Sequence, residues 1–363
     1  MVAIGCIKEN DSNEHRVSFA PESISRLKSN DIEFIIESDC GKNAGFDNND
    51  YKESGAQILN SSLSVIKNSD IVLSINPWKI NFNEIEKNIN SKIFIGHFNW
   101  LEENSFDNRF TFLALEKIPR IARAQSMDIL SSQASISGYQ ASLLAANHLN
   151  KYLPMLITAA GTIFPAKILV IGAGVAGLQA IATCNRLGAK VTGFDIRQST
   201  KEQIESVGGK FLDVNFEYDN SNNGGYAKEQ TTDKQKKQNK ILSKFIEDSD
   251  CVITTAAIPG KKAPLLVTKN NINNMNHGSV VIDLAGDSGG NCELGKYGKI
   301  NNVDGVIIDK PINITNMVSH HASLVFSRNI EAYLNLILKN NEINLDLKDE
   351  IINSTIIGKS KNE

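Results

Sequence analysis

The sequence predicts an α/β protein made of two doubly wound domains, each with a parallel sheet, and a cleft between them. Three observations predict this fold class. The chain has 363 residues, 41% of them hydrophobic, which suits about two domains of ordinary size. Short apolar runs alternate with helical stretches along the chain, as in repeated βα units. One apolar run in the second half leads through a glycine-rich turn directly into a helix.

The first half of the chain contains a series of predicted strands separated by helical stretches. These strands are Val2–Cys6, Phe34–Ile36, Ile71–Ile75, Lys92–Ile95 and Phe110–Leu115. Ser131–Leu153 follows; it is rich in Ala, Leu, Ser and Gln, lacks proline, and predicts one or two helices that bridge to the second half. Pro154 ends this helical stretch.

The second half repeats the pattern with another series of predicted strands. These strands are Lys167–Ile171, Lys190–Phe194, Cys251–Thr255, Ser279–Asp283 and Val306–Ile308. Leu324–Leu338 then shows the apolar spacing of an amphipathic helix, and we expect this helix to pack back onto the first domain. The prediction is a discontinuous first domain over residues 1–132 and 317–363, and a second domain over residues 133–316.

Composition and charge disfavour several classes of function. The formal net charge of -3 provides no general attraction to nucleic acid or to an anionic membrane surface. No apolar run reaches the roughly 20 residues of a membrane-spanning helix, and the chain opens on a predicted strand rather than a signal sequence, so we expect a cytoplasmic protein. The cysteines lack the spacing of metal ligands or of a disulfide framework, so we expect reduced thiols and no metal site. They are Cys6, Cys40, Cys184, Cys251 and Cys292.

The most informative motif is Gly172-Ala-Gly174-Val-Ala-Gly177, between the predicted strand Lys167–Ile171 and a helix. The first glycine permits a tight turn, the second lets the backbone approach a pyrophosphate, and the third allows the helix to pack closely on the strand. The helix N-terminus supplies N–H groups and a positive dipole for the phosphates. About twenty residues later the next strand ends at Asp195, whose carboxylate can bind the adenosine ribose and repel a 2′-phosphate. This combination predicts a Rossmann-like domain that binds NAD rather than NADP.

The predicted NAD site also includes five residues that lie within the motif, after Asp195 and after the predicted strand Cys251–Thr255. They are Val175, Ala176, Ile196, Arg197 and Ala257. Arg197 could compensate a phosphate, but an arginine after a strand is more often solvated or ion-paired. The alternative for the whole motif is a glycine turn that only packs tightly without nucleotide, which the three placed glycines and the acidic strand end disfavour.

A second polar cluster lies between the predicted strand that ends at Leu115 and the bridging helix. It contains Arg120, Arg123, Gln125, Asp128 and Ser131. A helix N-cap would explain at least one of these residues, and an ion pair would explain Arg123. The functional interpretation is that several donors and acceptors bind the nicotinamide half of the dinucleotide. By contrast, residues 215–239 are rich in Asn, Gly, Lys and Gln, and their composition predicts a solvated surface loop.

Consecutive segments of the chain resemble the NAD(H)-binding component of proton-translocating nicotinamide nucleotide transhydrogenase, in that family's order. These segments are RAQSMDILSSQASISGYQA, TAAGTIFPAKILVIGAGVAGLQAIATCNRLGA, KEQIESVGGKF, GGYAKEQ, ITTAAIPGKKAP and DLAGDSGGNCEL. The resemblance covers most of the chain and is much more specific than a dinucleotide fingerprint. The wider family includes alanine dehydrogenases, which share the pattern from Ile4 to Val17.

The resemblance implies that NAD(H) is bound so that its nicotinamide meets that of NADP(H) on a partner subunit. Hydride then passes directly between the two rings, coupled to proton translocation in membrane subunits. Arg120, Gln125, Asp128 and Ser131 fall on the family positions that contact or orient the nicotinamide, and Tyr226 falls on a mobile-loop tyrosine that closes over the nucleotide. The resemblance also implies a homodimer. With a polar tail and no membrane segment before Glu363, the expectation is a separate subunit held at the inner membrane through its partners.

The alternative function is that of an alanine-type amino-acid dehydrogenase, which binds a substrate carboxylate and moves a proton. Arg16, His97 and Asp287 match that family's carboxylate-binding arginine, acid/base histidine and catalytic aspartate. Residues 71–77 lack the substrate-binding lysine of that family, so the pocket for a 2-oxo acid is incomplete. The simpler explanations are an ion pair, a strand end and a turn cap, in that order. A noncatalytic NAD sensor is a third possibility, which leaves the nicotinamide-side cluster without a purpose.

Overall fold

The computed structural model describes residues 1–27, 31–100, 106–213, 241–258, 260–340 and 342–358. The chain divides into two compact units. The first unit comprises Met1–Gln133 and Thr315–Glu363, and the second comprises Ala134–Ile314. Each unit has apolar clusters of its own on its sheet.

The first unit contains a seven-stranded sheet in the order β18-β6-β5-β4-β1-β2-β3. Its strands are β1 (Val2–Cys6), β2 (Ile32–Glu37), β3 (Gln57–Leu59), β4 (Ile71–Leu73), β5 (Ile93–Gly96), β6 (Thr111–Ala114) and β18 (Ile356–Gly358). All neighbours are parallel except β18, which runs antiparallel to β6. The strand order reverses between β1 and β4, the position at which open α/β sheets form a crevice.

Helices connect the parallel strands of this unit and cover the sheet. They are α1 (Pro21–Leu27), α2 (Asn48–Glu53), α3 (Ser62–Asn68), α9 (Ser319–Ile337) and α10 (Glu350–Thr355). The short strands β16 (Leu338–Lys339) and β17 (Glu342–Ile343) form a separate pair. Phe326, Ile330 and Tyr333 of α9 are buried in the same apolar cluster as β1. The predicted packing of the C-terminal helix on the first domain's core is therefore confirmed.

The second unit contains a sheet in the order β11-β10-β9-β12-β13-β15-β14. Its strands are β9 (Lys167–Ile171), β10 (Lys190–Phe194), β11 (Lys210–Phe211), β12 (Cys251–Thr254), β13 (Val280–Asp283), β14 (Ile300–Val303) and β15 (Val306–Asp309). Only β14 is antiparallel to its neighbour among these described strands. The order reverses between β9 and β12, so the loops after these two strands form the crevice.

The remaining elements belong to the second unit or lead into it. They are α4 (Ile129–His148), α5 (Val175–Arg186), α6 (Lys201–Ser206), α7 (241–247), α8 (Lys269–Asn274) and the hairpin of β7 (Leu156–Thr158) and β8 (Gly161–Ile163). Helix α4 begins in the first unit and ends in the second. Within the described residues, no helix combines the length and the apolar character needed to cross a membrane.

The predicted fold class is confirmed, since both sheets are dominated by parallel strands with helical connections. The bridging stretch is a single helix that starts at Ile129 and ends at His148, earlier than the predicted Leu153. Strands β3, β11, β14 and β18 and the hairpin were not predicted, because they are short and the four strands lie at sheet edges. All five cysteines are free and buried, as expected for reduced thiols.

Candidate functional site

The glycine turn after β9 has a different physical requirement at each glycine. Gly172 has a φ of +99°, a left-handed conformation that favours glycine. A Cβ on Gly177 would lie 1.8 Å from the carbonyl oxygen of Gly172, so α5 packs directly against the turn. A Cβ on Gly174 would meet no heavy atom within 4 Å, so this position faces open space. The turn is therefore tightly packed on one side and accessible on the other.

Gly174 is also the N-cap of α5, a helix of 12 residues. No side chain caps this helix, so the N–H groups of its first turn are available to an anion. Val175 is 43% exposed and Ala176 is half-buried, which leaves the helix start accessible. This arrangement can bind a pyrophosphate through backbone N–H groups alone.

Asp195, at the end of β10, connects that strand to the glycine turn. Its Oδ2 accepts a hydrogen bond of 2.8 Å from the Ala173 amide. Its Oδ1 accepts from the amide of Arg197 at 2.8 Å and from Arg197 Nε at 3.0 Å, while Arg197 Nη2 donates to Oδ2 at 3.1 Å. The carboxylate raises the pKa of Arg197. Arg197 is thus ion-paired, as the simpler interpretation of this arginine predicted, and Ile196 lies half-buried between the two residues.

The loop after β12 forms the other wall of the crevice. Thr255 Oγ1 donates to the carbonyl oxygen of Gly172 at 3.1 Å, which ties the two loops together. Asn291 accepts from the Ala256 amide at 3.1 Å and donates at 2.8 Å to the carbonyls of Ala256 and Pro264. Ala257, the next residue, is exposed. The buried Asn291 side chain therefore determines the course of this loop.

Asp283 and Lys310 hold the neighbouring turn after β13. The buried carboxylate of Asp283 accepts from Thr254 Oγ1 at 3.0 Å, from the Asn291 amide at 3.1 Å and from the Cys292 amide at 3.0 Å. Lys310 Nζ donates to the Cys292 carbonyl at 2.6 Å and lies 3.5 Å from Asp283. Asn291, Asp283 and Lys310 were not predicted as site residues. The only signal in the sequence was that these polar residues lie within or beside predicted strands and a glycine-rich turn.

Asp287 lies on the same turn, in the single 3-10 turn Gly286–Ser288, and it is exposed. His97 directly follows β5, and its amide donates to the Ile75 carbonyl at 3.0 Å. The strand-end explanation of His97 is therefore confirmed. Tyr226 lies outside the described residues.

The polar cluster of the first unit lies at the start of α4. Asp128 Oδ1 accepts from the Ser131 amide at 2.9 Å and Oδ2 accepts from Ser131 Oγ at 2.6 Å, so Asp128 caps the helix. Arg123 forms an ion pair of 2.9 Å with Asp349, as its simpler interpretation predicted. Arg120 and Gln125 are exposed, the first just before the 3-10 turn Ala122–Met127 and the second within it.

Asn329, on α9, holds this cluster in place and was not predicted. Its Oδ1 accepts from Ser132 Oγ at 2.6 Å, and its Nδ2 donates to the Ser126 carbonyl at 2.7 Å. One side chain thus connects the first turn of α4 to the 3-10 turn that precedes it. The four predicted nicotinamide residues thus lie on one continuous stretch of chain, within which Asp128 and Ser131 are hydrogen-bonded to each other.

Arg16 lies elsewhere in the first unit, at a crevice of about 160 Å³. Its Nε and Nη2 donate to the two carboxylate oxygens of Glu14 at 2.7 and 2.6 Å, and its Nη1 donates to Gln133 Oε1 at 2.8 Å. Burial tends to raise the pKa of Glu14, but Arg16 outweighs it and holds that pKa below the ordinary value. The predicted ion pair of Arg16 is therefore confirmed.

Glu9 lies in the same crevice, where the strand order reverses. Its carboxylate accepts from Ser74 Oγ at 2.9 Å and from the amides of Ile75 and Asn76 at 2.6 and 3.1 Å. Burial raises the pKa of Glu9 to about 7, although these hydrogen bonds favour the charged form. In this unit, the backbone N–H groups at the point where the strand order reverses therefore donate to the carboxylate of Glu9.

Comparison with known proteins identifies the family to which this chain belongs and its similar relatives. Family models described as the alanine dehydrogenase/PNT N-terminal and C-terminal domains match residues 5–137 and 141–362. The protein named as the first part of NAD(P) transhydrogenase subunit alpha in Rickettsia prowazekii is 39% identical over 364 residues, covering 98% of this chain and 94% of that protein. An alanine dehydrogenase of Mycolicibacterium smegmatis is 25% identical over 293 residues, or 79% of this chain and 73% of that protein. The crystal structure of a transhydrogenase from Sinorhizobium meliloti has a TM-score of 0.88 at 36% identity and covers 99% of both chains.

Proposed function

Because this chain belongs to the alanine dehydrogenase/PNT family, we propose that it is the NAD(H)-binding component of a proton-translocating NAD(P) transhydrogenase. The observation that carries the proposal is the 39% identity, over 98% of this chain, to the Rickettsia transhydrogenase alpha-subunit protein. The nucleotide-side geometry supports it, since an uncapped helix start and an acidic strand end lie on either side of one glycine turn.

In the proposed complex, the pyrophosphate of NAD(H) lies over Gly174 and the start of α5. Asp195 binds the adenosine ribose, and Arg197, Ile196 and Ala257 line the site around it. Val175 and Ala176, the first two residues of α5, donate their amides to the phosphates.

Arg120, Gln125, Asp128 and Ser131 orient the nicotinamide in this proposal. Hydride transfer between two nicotinamide rings moves a hydride and no proton, so the chain supplies orientation and excludes water rather than acting as an acid or base. Asp128 caps α4 and has its remaining lone pairs available to a carboxamide. One group can thus maintain the helix start and bind the ring.

The partners proposed are an NADP(H)-binding subunit and membrane-spanning subunits, with the chain itself as a homodimer. NADP(H) is held by the partner, and proton translocation takes place in the membrane subunits. The proposed location is the cytoplasmic side of the inner membrane, where the chain is peripheral through those partners.

The paired state of Arg16 favours this function over that of an amino-acid dehydrogenase. An arginine that binds a substrate carboxylate needs two N–H donors directed at the ligand. Here Glu14 takes two of the donors and Gln133 takes a third. A 2-oxo acid could therefore use only the two N–H groups of Arg16 that remain, unless Arg16 left the buried Glu14 unpaired, which is costly.

The test is hydride transfer from NADH deuterated at C4 to an oxidised NADP analogue. The purified chain is assayed alone, with the partner subunits, and with pyruvate and ammonium. We expect deuterium to appear in the reduced analogue, and only when the partners are present. Pyruvate-dependent NADH oxidation by the chain alone would contradict the proposal and support an amino-acid dehydrogenase.

A matched pair of variants tests the nicotinamide-side residues in the same assay. Gln125 and Ser126 are neighbours on the exposed side of the 3-10 turn. We expect Gln125→Ala to lower transfer by about tenfold or more, because misplacing a ring by about 1 Å costs up to a hundredfold. Ser126→Ala should have little effect, since Ser126 contacts Asn329 through its backbone carbonyl. Equal rates for the two variants would remove Gln125 from the site.

A further inference from the structure

The carboxylate of Asp195 has its full set of hydrogen bonds within the protein. A carboxylate offers about four lone-pair positions. Four donors fill them: the amides of Ala173 and Arg197, both at 2.8 Å, and the Arg197 side-chain nitrogens Nε and Nη2 at 3.0 and 3.1 Å. A pair of ribose hydroxyls can therefore bind Asp195 only by displacing two of these donors.

The two backbone donors are held in place by their surroundings. Ala173 is buried in the glycine turn, and the preceding amide, of Gly172, donates to the Phe194 carbonyl at 2.8 Å. The Arg197 carbonyl accepts from the Thr200 amide at 3.1 Å and from Thr200 Oγ1 at 2.7 Å. Neither amide can leave Asp195 without local unfolding of the crevice.

The side chain of Arg197 is the donor that can move. It is 32% exposed, whereas the Asp195 side chain is 8% exposed, so the guanidinium borders solvent and the carboxylate does not. The guanidinium can turn toward water when a ribose approaches, whereas the two amides belong to the folded backbone. Separating it from the buried carboxylate costs free energy, which the ribose hydroxyls must offset. The two acceptor positions that a ribose requires are the two that this side chain occupies.

We infer that the Arg197 side chain competes with the adenosine ribose for Asp195 and thereby weakens NAD(H) binding and speeds its release. The inference rests on the proposed function, which places the ribose at Asp195. Binding exchanges two N–H···O bonds for two O–H···O bonds, so the ribose contributes only the difference. Once displaced, the guanidinium lies beside the 2′-position of the ribose, where it partly offsets the repulsion of a 2′-phosphate by Asp195.

The test compares NADH and NADPH binding to the full chain carrying Arg197→Ala, Arg197→Lys or Arg186→Ala. Arg186 ends α5 and is exposed, so Arg186→Ala removes the same charge from the same unit without affecting Asp195. We expect Arg197→Ala to tighten NADH binding by about three- to tenfold, the value of one or two hydrogen bonds, mainly through slower dissociation. NADPH binding should not tighten. Arg197→Lys, which keeps the charge without the planar fork, should lie between.

Titration by nucleotide fluorescence gives the affinities, and stopped-flow displacement gives the dissociation rates. If the parent chain binds NADH and Arg197→Ala binds it equally or more weakly, the inference is overturned. Weaker binding would make Arg197 a direct nucleotide ligand. Tightening by Arg186→Ala to the same extent would also overturn it, because the effect would then be one of net charge. A parent chain without NADH binding would overturn the proposed function and this inference together. Thermal unfolding establishes that each variant is folded.

Discussion

Two glycines three residues apart provide a sharp test of the nucleotide-binding turn. Gly177→Ala and Gly174→Ala add the same methyl group to the same motif. At Gly177 the methyl would lie 1.8 Å from the Gly172 carbonyl oxygen and 3.1 Å from Thr255 Oγ1. At Gly174 it would meet no heavy atom within 4 Å, and the backbone there is extended rather than left-handed. Gly177→Ala should therefore lower stability, whereas Gly174→Ala should lower nucleotide binding and leave stability nearly unchanged.

The magnitudes follow from these distances. Increasing the Gly177 contact from 1.8 Å to the 3.0 Å that real Cβ atoms require moves α5 or the turn by at least 1.2 Å. Overpacking of this kind costs about 1–3 kcal/mol. Gly174→Ala should change the free energy of unfolding by less than about 0.5 kcal/mol, as at other positions without contacts. Its methyl group instead separates the pyrophosphate from the backbone, and we expect about 10- to 100-fold weaker NADH binding, or about 1.4–2.8 kcal/mol.

Chemical unfolding followed by circular dichroism measures the first quantity, and NADH titration measures the second. A Gly177→Ala protein as stable as the parent would refute the close packing of α5 against the turn. A Gly174→Ala protein that binds NADH normally would refute the placement of the pyrophosphate over this position. Both roles are supported only if one variant loses stability and the other loses affinity alone.

Three further predictions concern the carboxylates and the amide that organise the two crevices. Asp195→Asn removes the charge facing the 2′-position, so the NADPH-to-NADH affinity ratio should rise by about tenfold or more, and an unchanged ratio in paired titrations would contradict this. Asn291→Ala removes the hydrogen bonds of both Ala256 backbone groups and of the Pro264 carbonyl in a partly buried loop. Unfolding by denaturant should show a loss of about 2–4 kcal/mol, and a neutral result would refute the role of Asn291 in the loop. The raised pKa of Glu9, about 7, means that the folded state retains a proton that the unfolded state releases, so this group's stabilisation is present at low pH and lost as the pH rises through 7. Relative to Glu9→Gln, the parent chain should lose about 2–3 kcal/mol between pH 5 and pH 8. Tryptophan fluorescence reports this change, because both tryptophans lie in the first unit, and a constant difference between the two proteins would contradict it.

The architecture and the nucleotide motif were predictable without the structure, because both depend on neighbours along the chain. Buried parallel strands are continuous apolar runs, so Lys167–Ile171 and Lys190–Phe194 were predicted with the bounds that the structure has. The turn from Gly172 to Gly177 was also identifiable, since each glycine answers a local requirement of strand, turn or helix start. The cap at Asp128 was predictable for the same reason.

Tertiary structure alone decided which partners the polar side chains have. Arg16 meets Gln133 across 117 residues, Asn291 meets Ala256 across 35, and Asn329 meets Ser126 across 203. The edge strand β18 likewise forms only because β6 offers an unpaired edge. A hydrogen bond is short-ranged and directional, so its partner depends on the path of the whole chain rather than on spacing in the sequence. For this reason the sequence could offer an ion pair as one interpretation of Arg16 and of Arg197, whereas the structure identifies their partners as Glu14 and Asp195.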